Sequence, residues 1–407
     1  MDLQLSQRTG GFNLRKVEES SATKIVAVVQ ERSSDTFAQI TLEVAPDPPH
    51  NIVHFQGQPI PRPAEFDVPH LTEQQLIAEL RKKLEAESFS GAVLVAKNGQ
   101  PILAAAYGLA DREKNTPNTL ATRFNDGSMN KMFTAVAILQ LAQAGKIDLT
   151  APIGKYLPDY PNSDVASKVT VRHLLTHTGG TGDFFGPEFQ KHRDEMRTLD
   201  DYIKLLGTRG LAFEPGAEWD YSNYGFLLLG VIVERVSGQS YYDYVRDHIY
   251  KPAGMTATAS EPRNAPVAPQ AIGYTKAGPN GPQSEPHPNT DMLPYRGTSA
   301  GGGYSTVEDL LKFAMALQQY KLLNAKYTEM ATTAQVKTPM DSGYGYGFTV
   351  RNFNGTSCYG HNGGGLGING ELEICPSNGY VVAVLANADP PAAEHMANFA
   401  IDRLPNK

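Results

Sequence analysis

The chain has 407 residues, which is long for one small domain and allows two or three. Its 36 Lys and Arg against 43 Asp and Glu give a formal net charge of −7. This balance argues against a dedicated nucleic-acid-binding protein and gives no electrostatic reason for docking on an anionic membrane. Hydrophobic residues make up 41% of the chain and charged residues 19%, so composition excludes disorder and allows a large core.

The longest apolar run, Phe226 to Val233, is far shorter than the roughly 18 residues that a membrane span needs. We therefore expect no membrane span. The first eleven residues lack a basic segment followed by an apolar one, so they do not resemble a signal peptide. The location of the protein stays open between the cytoplasm and export after removal of a leader.

The first sixty residues are rich in β-branched runs separated by turn-forming residues, which is typical of an antiparallel meander. The predicted strands are Phe12–Glu18, Lys24–Glu31, Thr36–Val44 and Ile52–Pro59. A proline-rich stretch at residues 58–63 predicts an extended linker. We expect residues 1–66 to form a small β-rich accessory module and linker. Four strands alone leave one face uncovered, so this module can be incomplete.

A second region, residues 67–407, begins with a helix that Thr72 caps and continues with a hairpin turning at Asn98-Gly99. Residues 128–315 are mostly helical by pattern, after which strands return and a final helix follows from about Ala392 to Leu404. This order predicts an α/β (α+β) fold in which both chain ends build one antiparallel sheet. The sheet half would come from residues 67–127 and 300–407, and an all-helical half from residues 128–299.

Ser128 and Lys131 form an S-x-x-K motif just before a long apolar helix. If that helix starts at Ser128, the i, i+3 spacing places Lys131 on the same face, and the helix N-terminus favours negative charge on the serine oxygen. A neutral lysine there could accept the serine proton. A second S-x-x-K, Ser21 to Lys24, precedes a strand, so we set it aside; on local context alone Ser128 could equally be a helix cap.

Tyr221 and Asn223 lie just before another apolar helix, and the i, i+2 spacing of an extended segment points both side chains the same way. A phenol beside an ammonium group can have a lowered pKa and shuttle protons. The structural alternative is that Asn223 caps the helix and Tyr221 packs.

His361 ends a strand and enters a glycine-rich bend that includes Gly363 and Gly364. Glycine lets a substrate lie against a strand edge, where a backbone N–H can bind an oxyanion. The alternative is a flexible hairpin turn with a structural histidine.

Together these motifs resemble the serine β-lactamase-like superfamily, which includes class C β-lactamases, low-molecular-weight penicillin-binding proteins, D-amino-acid peptidases and family VIII carboxylesterases. The resemblance covers about residues 70–405. It is carried, in order and spacing, by Ser128-x-x-Lys131, Tyr221-x-Asn223 and His361-x-Gly363, and by the segments at residues 171–180, 215–223 and 299–306.

The resemblance implies that Ser128 is the acylated nucleophile and that Lys131 and Tyr221 share general-base and general-acid work. It leaves open which of the two is the acylation base. It further implies that Asn223 orients Lys131 and the substrate, and that the backbone N–H groups of Ser128 and Gly364 form the oxyanion hole. No metal or cofactor is implied.

One departure from the family pattern concerns substrate charge. β-Lactamases of this superfamily typically carry Lys-Thr-Gly where this chain has His361-Asn362-Gly363. A histidine is largely neutral at pH 7 and holds a substrate carboxylate less firmly than a lysine does. We therefore expect a hydrolase of uncharged substrates.

Three other sequence patterns are weaker indications of a functional site or a covalent link. Residues 297–301 match the G-x-S-x-G of α/β-hydrolases, but the next helix, which we expect Ser305 to cap, starts too late for a nucleophile elbow. His173 and His177 are i, i+4, but Leu174 stands where a zinc protease has Glu, so we expect structural histidines. The two cysteines, Cys358 and Cys375, are expected to be buried free thiols on neighbouring strands.

The sequence thus predicts a serine hydrolase, most simply a carboxylesterase on small to medium acyl esters, that acts on a small-molecule substrate. A D-amino-acid amidase, peptidase or weak β-lactamase with the same site is the first alternative. A catalytically silent, ligand-binding relative is the second. The oligomeric state is open.

Overall fold

A computed structural model describes residues 11–32, 36–60, 62–265, 267–278, 281–339 and 342–405. Residues 1–10, where a leader was sought, and Pro61 of the predicted linker lie outside the described residues. The strands are β1 Phe12–Ser20, β2 Lys24–Glu31, β3 Phe37–Val44, β4 Ile52–Ile60, β5 Gly91–Lys97, β6 Gln100–Tyr107, β7 Leu109–Asp111, β8 Thr116–Pro117, β9 Phe124–Gly127, β10 Tyr274–Thr275, β11 His287–Pro288, β12 Gly303–Ser305, β13 Val336–Lys337, β14 Gly343–Tyr344, β15 Thr349–Phe353, β16 Thr356–Gly365, β17 Ile368–Cys375 and β18 Tyr380–Ala386.

The helices are α1 Glu73–Ala86, α2 Asn130–Gln143, α3 Ser163–Lys168, α4 Val171–Leu175, α5 Pro187–His192, α6 Leu199–Leu206, α7 Asn223–Ser237, α8 Tyr241–Val245, α9 Lys251–Ala253, α10 Val307–Gln318, α11 Ala325–Thr332 and α12 Ala392–Ile401. Within the part of the chain that the structure describes, none of them is long and apolar enough to cross a membrane. The chain divides into two compact units, the first formed by the described residues up to 80 with 398–405 and the second by the described residues between 81 and 397. The predicted division at residue 66 stays a prediction.

The first unit contains a four-stranded antiparallel sheet in the chain order β1-β2-β3-β4, so the four predicted strands are confirmed. The buried apolar residues of this sheet lie on β2 and at the start of β3, where Phe37 stacks on Phe66 with ring centroids 5.4 Å apart. The edge strands β1 and β4 are mostly exposed. Within this unit, the backbone N–H of Leu71 donates to the carbonyl of Arg403.

The second unit is built on an eight-stranded sheet in the order β13-β14-β15-β16-β17-β18-β5-β6, with antiparallel pairing throughout. Both chain ends contribute to it, as predicted. The β5–β6 hairpin turns at Asn98 and Gly99, whose positive φ angles of 49° and 77° are those that a two-residue hairpin turn requires. Strand β18 is buried along its whole length, and α10 packs against β18 and β5.

The helical part of this unit centres on α2 and α7, which pack against each other. Nearly every residue of α2 is buried, and so is the run from Tyr224 to Val233 in α7. A helix that is apolar all round is stable only when other elements surround it, and α2 and α7 meet that condition. On α2, Phe133 meets Tyr250 and Phe313 edge to face, with centroids 5.2 and 4.8 Å away.

A short antiparallel ribbon of two strands connects the start of α2 with the sheet. Strand β9 pairs with β12 through Gly127 and Gly303, and β9 packs against β16 and β17. A side chain on Gly127 would come within 3.1 Å of Gly363 backbone atoms, so the glycine allows this close approach. The ribbon therefore places the residues after Gly127 beside the end of β16.

Two predicted helix starts differ from the structure. Helix α2 begins at Asn130 rather than at Ser128, which lies in the preceding turn. The lysine still follows one turn later, because the Lys131 N–H donates to the Ser128 carbonyl at 3.0 Å. Helix α10 is capped by Thr306, whose Oγ1 accepts from the Asp309 N–H, and not by Ser305.

The expectation of two free thiols is wrong, because Cys358 and Cys375 form a disulfide. The register of β16 and β17 pairs Tyr359 with Ile374, which puts the two cysteines opposite each other on adjacent strands. The two-residue turn at Leu366 and Gly367 sets this register. The cysteine spacing in the sequence does not reveal it.

Candidate active site

Ser128 lies in the turn before α2, with its side chain in contact with Lys131. The Lys131 Nζ donates a hydrogen bond to Ser128 Oγ at 3.1 Å. It also donates to Asn223 Oδ1 at 2.7 Å and to the Ala300 carbonyl at 2.6 Å. The S-x-x-K spacing thus brings a lysine within proton-transfer distance of a serine hydroxyl.

Lys131 is fully buried, and burial lowers its pKa from 10.5 to about 7. Asp183 opposes this shift by attracting the protonated amine. Near pH 7 a large share of Lys131 is therefore neutral, as a base that accepts a serine proton must be.

Tyr221 enters the same place from the segment before α7. Its ring lies 4.7 Å from Lys131 Nζ. Burial raises the pKa of Tyr221 well above 10, although a hydrogen bond with Ser128 acts in the opposite direction. The expected lowering of this pKa is therefore wrong. The reason is that Tyr221 is itself buried, so forming the charged phenolate there is unfavourable.

Asn223 is the first residue of α7, and its neighbour Ser222 is the helix cap, so Asn223 is free for another contact. Its Oδ1 accepts from Lys131, while its Nδ2 donates to Asp183 Oδ2 at 2.7 Å. Sequence reasoning missed Asp183, which lies in a glycine-rich loop forty residues before Asn223. An acidic residue among loop glycines was the available signal.

The end of β16 carries one of the two proposed oxyanion donors, the Gly364 N–H, and runs beside the other, the Ser128 N–H. A side chain on Gly363 would meet the Asp126 carbonyl at 2.1 Å and the Ser128 nitrogen at 3.1 Å, so this strand runs directly beside the serine. Gly365 pairs with Ile368 across the two-residue turn, and alternation along the ladder directs the Gly364 N–H away from β17. Within the described residues, the Ser128 N–H donates no backbone hydrogen bond.

His361 is buried and only 2% exposed, and it is not among the described residues that line the cleft beside Ser128. Burial and the nearby Lys131 lower its pKa to about 3, so it is neutral at pH 7. Its ring centroid is 6.3 Å from that of Tyr221. His361 therefore lies beside Tyr221 in the protein interior, and the substrate contact predicted for it stays a prediction.

A chain of hydrogen bonds joins His361 to the helical part. The Tyr344 hydroxyl lies 3.1 Å from Nε2 of His361 and 3.1 Å from Nε2 of His177. Nδ1 of His177 accepts from the Ser222 N–H at 3.0 Å, so Nε2 carries the proton and donates to Tyr344. Tyr344 then donates to His361, whose Nδ1 donates to the Asn362 carbonyl. Both histidines are neutral in this arrangement, because burial lowers the pKa of each.

A cleft of about 870 Å³ opens beside Ser128, Tyr221, Asn223 and Gly364. Its further walls are largely apolar and include Phe184, Phe185, Tyr202, Met292, Leu293, Tyr295 and Leu366.

The cations among the described residues that line the cleft already have partners. Lys114 pairs with Asp111 at 2.8 Å, and Arg263 pairs with Asp194 at 2.9 Å. The Arg296 guanidinium donates to the Ser260 carbonyl and lies 3.4 Å from the centroid of the Tyr242 ring. Two of these three cations, Lys114 and Arg263, are therefore already paired with a carboxylate.

The other candidate residues lie outside this site. Ser299 is fully buried and its hydroxyl donates to the Leu227 carbonyl, so residues 297–301 are not a nucleophile elbow. In a turn of the first unit, the Ser21 hydroxyl donates a hydrogen bond to the Lys24 carbonyl and accepts one from the Lys24 N–H. His173 forms a capping box with Thr170 at the start of α4, whereas His177 belongs to the chain of hydrogen bonds.

Comparison with known proteins agrees with this geometry. The Beta-lactamase family model matches residues 74–406. The PbpX protein of Bacillus subtilis (strain 168) is 30% identical over 351 residues, which cover 84% of this chain and 81% of that protein. These matches confirm the resemblance inferred from the three motifs.

Two solved structures extend the comparison. The penicillin binding protein from Bacillus halodurans is 34% identical, with a TM-score of 0.71, over 78% of this chain and 97% of that one. The D-stereospecific amidohydrolase from Streptomyces sp. is 30% identical, with a TM-score of 0.66, over 81% and 97%. The predicted fold class is confirmed.

Proposed function

The chain belongs to the Beta-lactamase family, and from that premise we propose that it is a carboxylesterase on small to medium acyl esters, working through an acyl-enzyme on Ser128. The observation that carries the proposal is the position of Lys131, which is buried, about half in its neutral form near pH 7 and 3.1 Å from Ser128 Oγ. The same contacts support a nucleophile and base pair in any acyl transfer.

In the acylation step, Ser128 Oγ attacks the ester carbonyl carbon as Lys131 takes the hydroxyl proton. The raised pKa of Tyr221 keeps its phenol protonated, which favours Lys131 as the first base and Tyr221 as the donor to the leaving alcohol. The proton held by Lys131 then restores Tyr221. The N–H groups of Ser128 and Gly364 would hold the oxyanion.

Deacylation reverses these roles. A water molecule attacks the acyl carbon as Lys131 takes one of its protons, and that proton passes to Ser128 Oγ as the acyl–oxygen bond breaks and the acid leaves. Asn223 keeps Lys131 in place through both steps, because its Oδ1 accepts from the lysine amine at 2.7 Å.

The choice of an ester over a β-lactam depends on charge. A β-lactam brings a carboxylate that needs a cation, whereas His361 is neutral and two described cations of the cleft, Lys114 and Arg263, are ion-paired. The second candidate is a D-amino-acid amidase or peptidase, with weak β-lactamase activity included. The likeness to the Streptomyces amidohydrolase at 30% identity favours this candidate over a catalytically silent, ligand-binding protein.

The test is Ser128→Ala with p-nitrophenyl acyl esters, where we expect a loss of roughly 10⁴- to 10⁶-fold in kcat. Ser21→Ala, at the other S-x-x-K, is the matched control and should keep full activity. A fluorophosphonate probe should add mass at Ser128 in the unmodified protein. Unchanged turnover in Ser128→Ala would remove the assignment, and faster turnover of nitrocefin or a D-amino-acid amide than of any ester would reverse the order of candidates.

A further inference from the structure

Asp183 is connected to the nucleophile through two hydrogen bonds in series. Asn223 Nδ2 donates to Asp183 Oδ2 at 2.7 Å, and Asn223 Oδ1 accepts from Lys131 Nζ at 2.7 Å. Lys131 in turn reaches Ser128 Oγ at 3.1 Å. Asp183 itself is not among the described residues that line the cleft.

The direction of these bonds depends on the carboxylate. An ionised carboxylate only accepts hydrogen bonds, so the Asn223 side chain must present its NH₂ group to Asp183. The carbonyl oxygen of the amide is then the atom left to face Lys131. Without an acceptor at residue 183, the amide could turn over and present a donor to the lysine, which would oppose the protonated amine.

The loop around Asp183 is held firmly in its place. Its Oδ1 accepts from the N–H groups of Phe184 and Phe185 at 2.6 and 3.1 Å, which fixes the second oxygen toward Asn223. The Arg209 guanidinium donates to the Asp183 carbonyl at 2.6 Å. Ser222, next to Asn223, donates to the Gly182 carbonyl. The loop and the start of α7 therefore hold one relative position.

Asp183 is also the acidic group that acts on Lys131 from its surroundings. The groups facing the lysine are the hydroxyl of Ser128, the ring of Tyr221 before α7, and two histidines, His177 and His361. The phenol stays protonated and both histidines are neutral near pH 7. The attraction between Asp183 and the lysine amine therefore has no charged competitor among these groups.

We propose that Asp183 is a positioning residue of the hydrolase site: its carboxylate sets which atom of the Asn223 amide faces Lys131, and so holds the lysine amine against Ser128. The inference rests on the proposed function, because it assigns Asp183 to the same nucleophile and base.

The experiment compares Asp183→Asn and Asp183→Ala with the unmodified protein. Removing the negative charge should move the acid limb of the kcat/KM profile to lower pH in both variants, because Lys131 then loses its proton more easily. Asp183→Ala also removes the acceptor, and we expect kcat to fall by about 10- to 100-fold with KM nearly unchanged. Glu188→Gln, an exposed carboxylate at the start of α5, is the control and should change neither quantity.

A second readout needs no substrate. The Cε resonance of Lys131 in ¹³C-lysine-labelled protein, assigned with Lys131→Arg, should titrate at lower pH in Asp183→Asn than in the unmodified protein. Should Asp183→Ala fail to fold, the near-isosteric Asp183→Asn still gives this result. A shift of the resonance in a protein whose Ser128→Ala variant keeps its activity would support the positioning role and remove the proposed function.

Two results would overturn the proposal. One is an unchanged Lys131 titration in Asp183→Asn together with an unchanged kcat in Asp183→Ala. The other is a raised KM with kcat unchanged, which would mean that Asp183 contacts the substrate instead of positioning the base.

Discussion

The Tyr344 hydroxyl lies 3.1 Å from Nε2 of His361, and its other hydrogen bond joins it to His177 on the helical side of the site. One phenol thus links β14 to β16, the strand that carries Gly363 and Gly364, and also to His177, which follows α4. Because all three side chains are buried, each polar group depends on its partner in this chain.

Tyr344→Phe should therefore destabilise the protein. The substitution keeps the ring but leaves the His177 Nε2–H without an acceptor and His361 Nε2 without a donor. At about 1–3 kcal/mol for each of these two buried groups left unpaired, we expect the free energy of unfolding to fall by about 2–6 kcal/mol. Denaturant unfolding measures this free energy, and Tyr320→Phe, at an exposed tyrosine, is the control. Equal losses in the two variants would contradict the role given to Tyr344.

A lysine at residue 361 tests the argument about substrate charge. His361→Lys restores the cation that β-lactamases of the superfamily carry here. We expect the kcat/KM ratio of a carboxylate-bearing substrate to a neutral ester to rise about tenfold, which corresponds to about 1.4 kcal/mol. His361→Gln, which adds no charge, should leave the ratio unchanged. If both variants shift it equally, the missing charge does not explain the substrate preference.

The site residues differ in how well the sequence predicted them. Ser128 with Lys131, and Tyr221 with Asn223, are close in the chain, so local spacing alone brings each pair together. Asp183 and Tyr344 reach the site only through tertiary packing, since their partners lie forty residues and seventeen residues away. The glycine-rich loop can mark Asp183 as a candidate, but no local pattern identifies the partner of either residue.

The fold was predicted best where local chemistry decides the conformation. The Asn98-Gly99 turn and the four strands of the first unit follow from turn residues and alternation. The disulfide between Cys358 and Cys375 depends on the register of two strands, which a one-residue slip would change. The pKa of Tyr221 depends on burial, which the chain sequence does not display residue by residue.

Lys131 gives the activity a defined pH dependence. Its pKa of about 7 means that the base becomes protonated as the pH falls, so kcat/KM should decrease about tenfold per pH unit below that value. Because the pKa of Tyr221 is raised, no matching loss is expected from the phenol up to pH 10. A pH profile of p-nitrophenyl ester hydrolysis, corrected for spontaneous hydrolysis, measures both limbs. An acid limb near pH 4 would point to a carboxylate base instead.

The apolar part of the cleft should set the preference for the acyl chain. Phe185 lines the cleft and is 55% exposed, so a substrate could cover it without rearrangement. Phe185→Ala should lower kcat/KM for p-nitrophenyl hexanoate by about tenfold and for the acetate by much less, because about 1.5 kcal/mol of apolar burial is lost. Tyr320→Ala, at an exposed aromatic residue outside the cleft lining, is the control. Equal effects on the two esters would place the acyl chain elsewhere.

Arg351 holds two fully buried carboxyl groups on β17, those of Glu371 and Glu373. Arg351→Met would leave both without their cation, and we expect a loss of about 3–5 kcal/mol in the free energy of unfolding. Arg246→Met, at an exposed ion pair, should lower the free energy of unfolding by about 1 kcal/mol or less.

Burial raises the pKa of Glu371 well above 4.5. As the pH rises above 4.5, the folded protein therefore keeps a proton on Glu371 that the unfolded chain loses. The loss in Arg351→Met should therefore grow from pH 5 to pH 8, and a loss independent of pH would show that packing, not charge, is what Arg351 supplies.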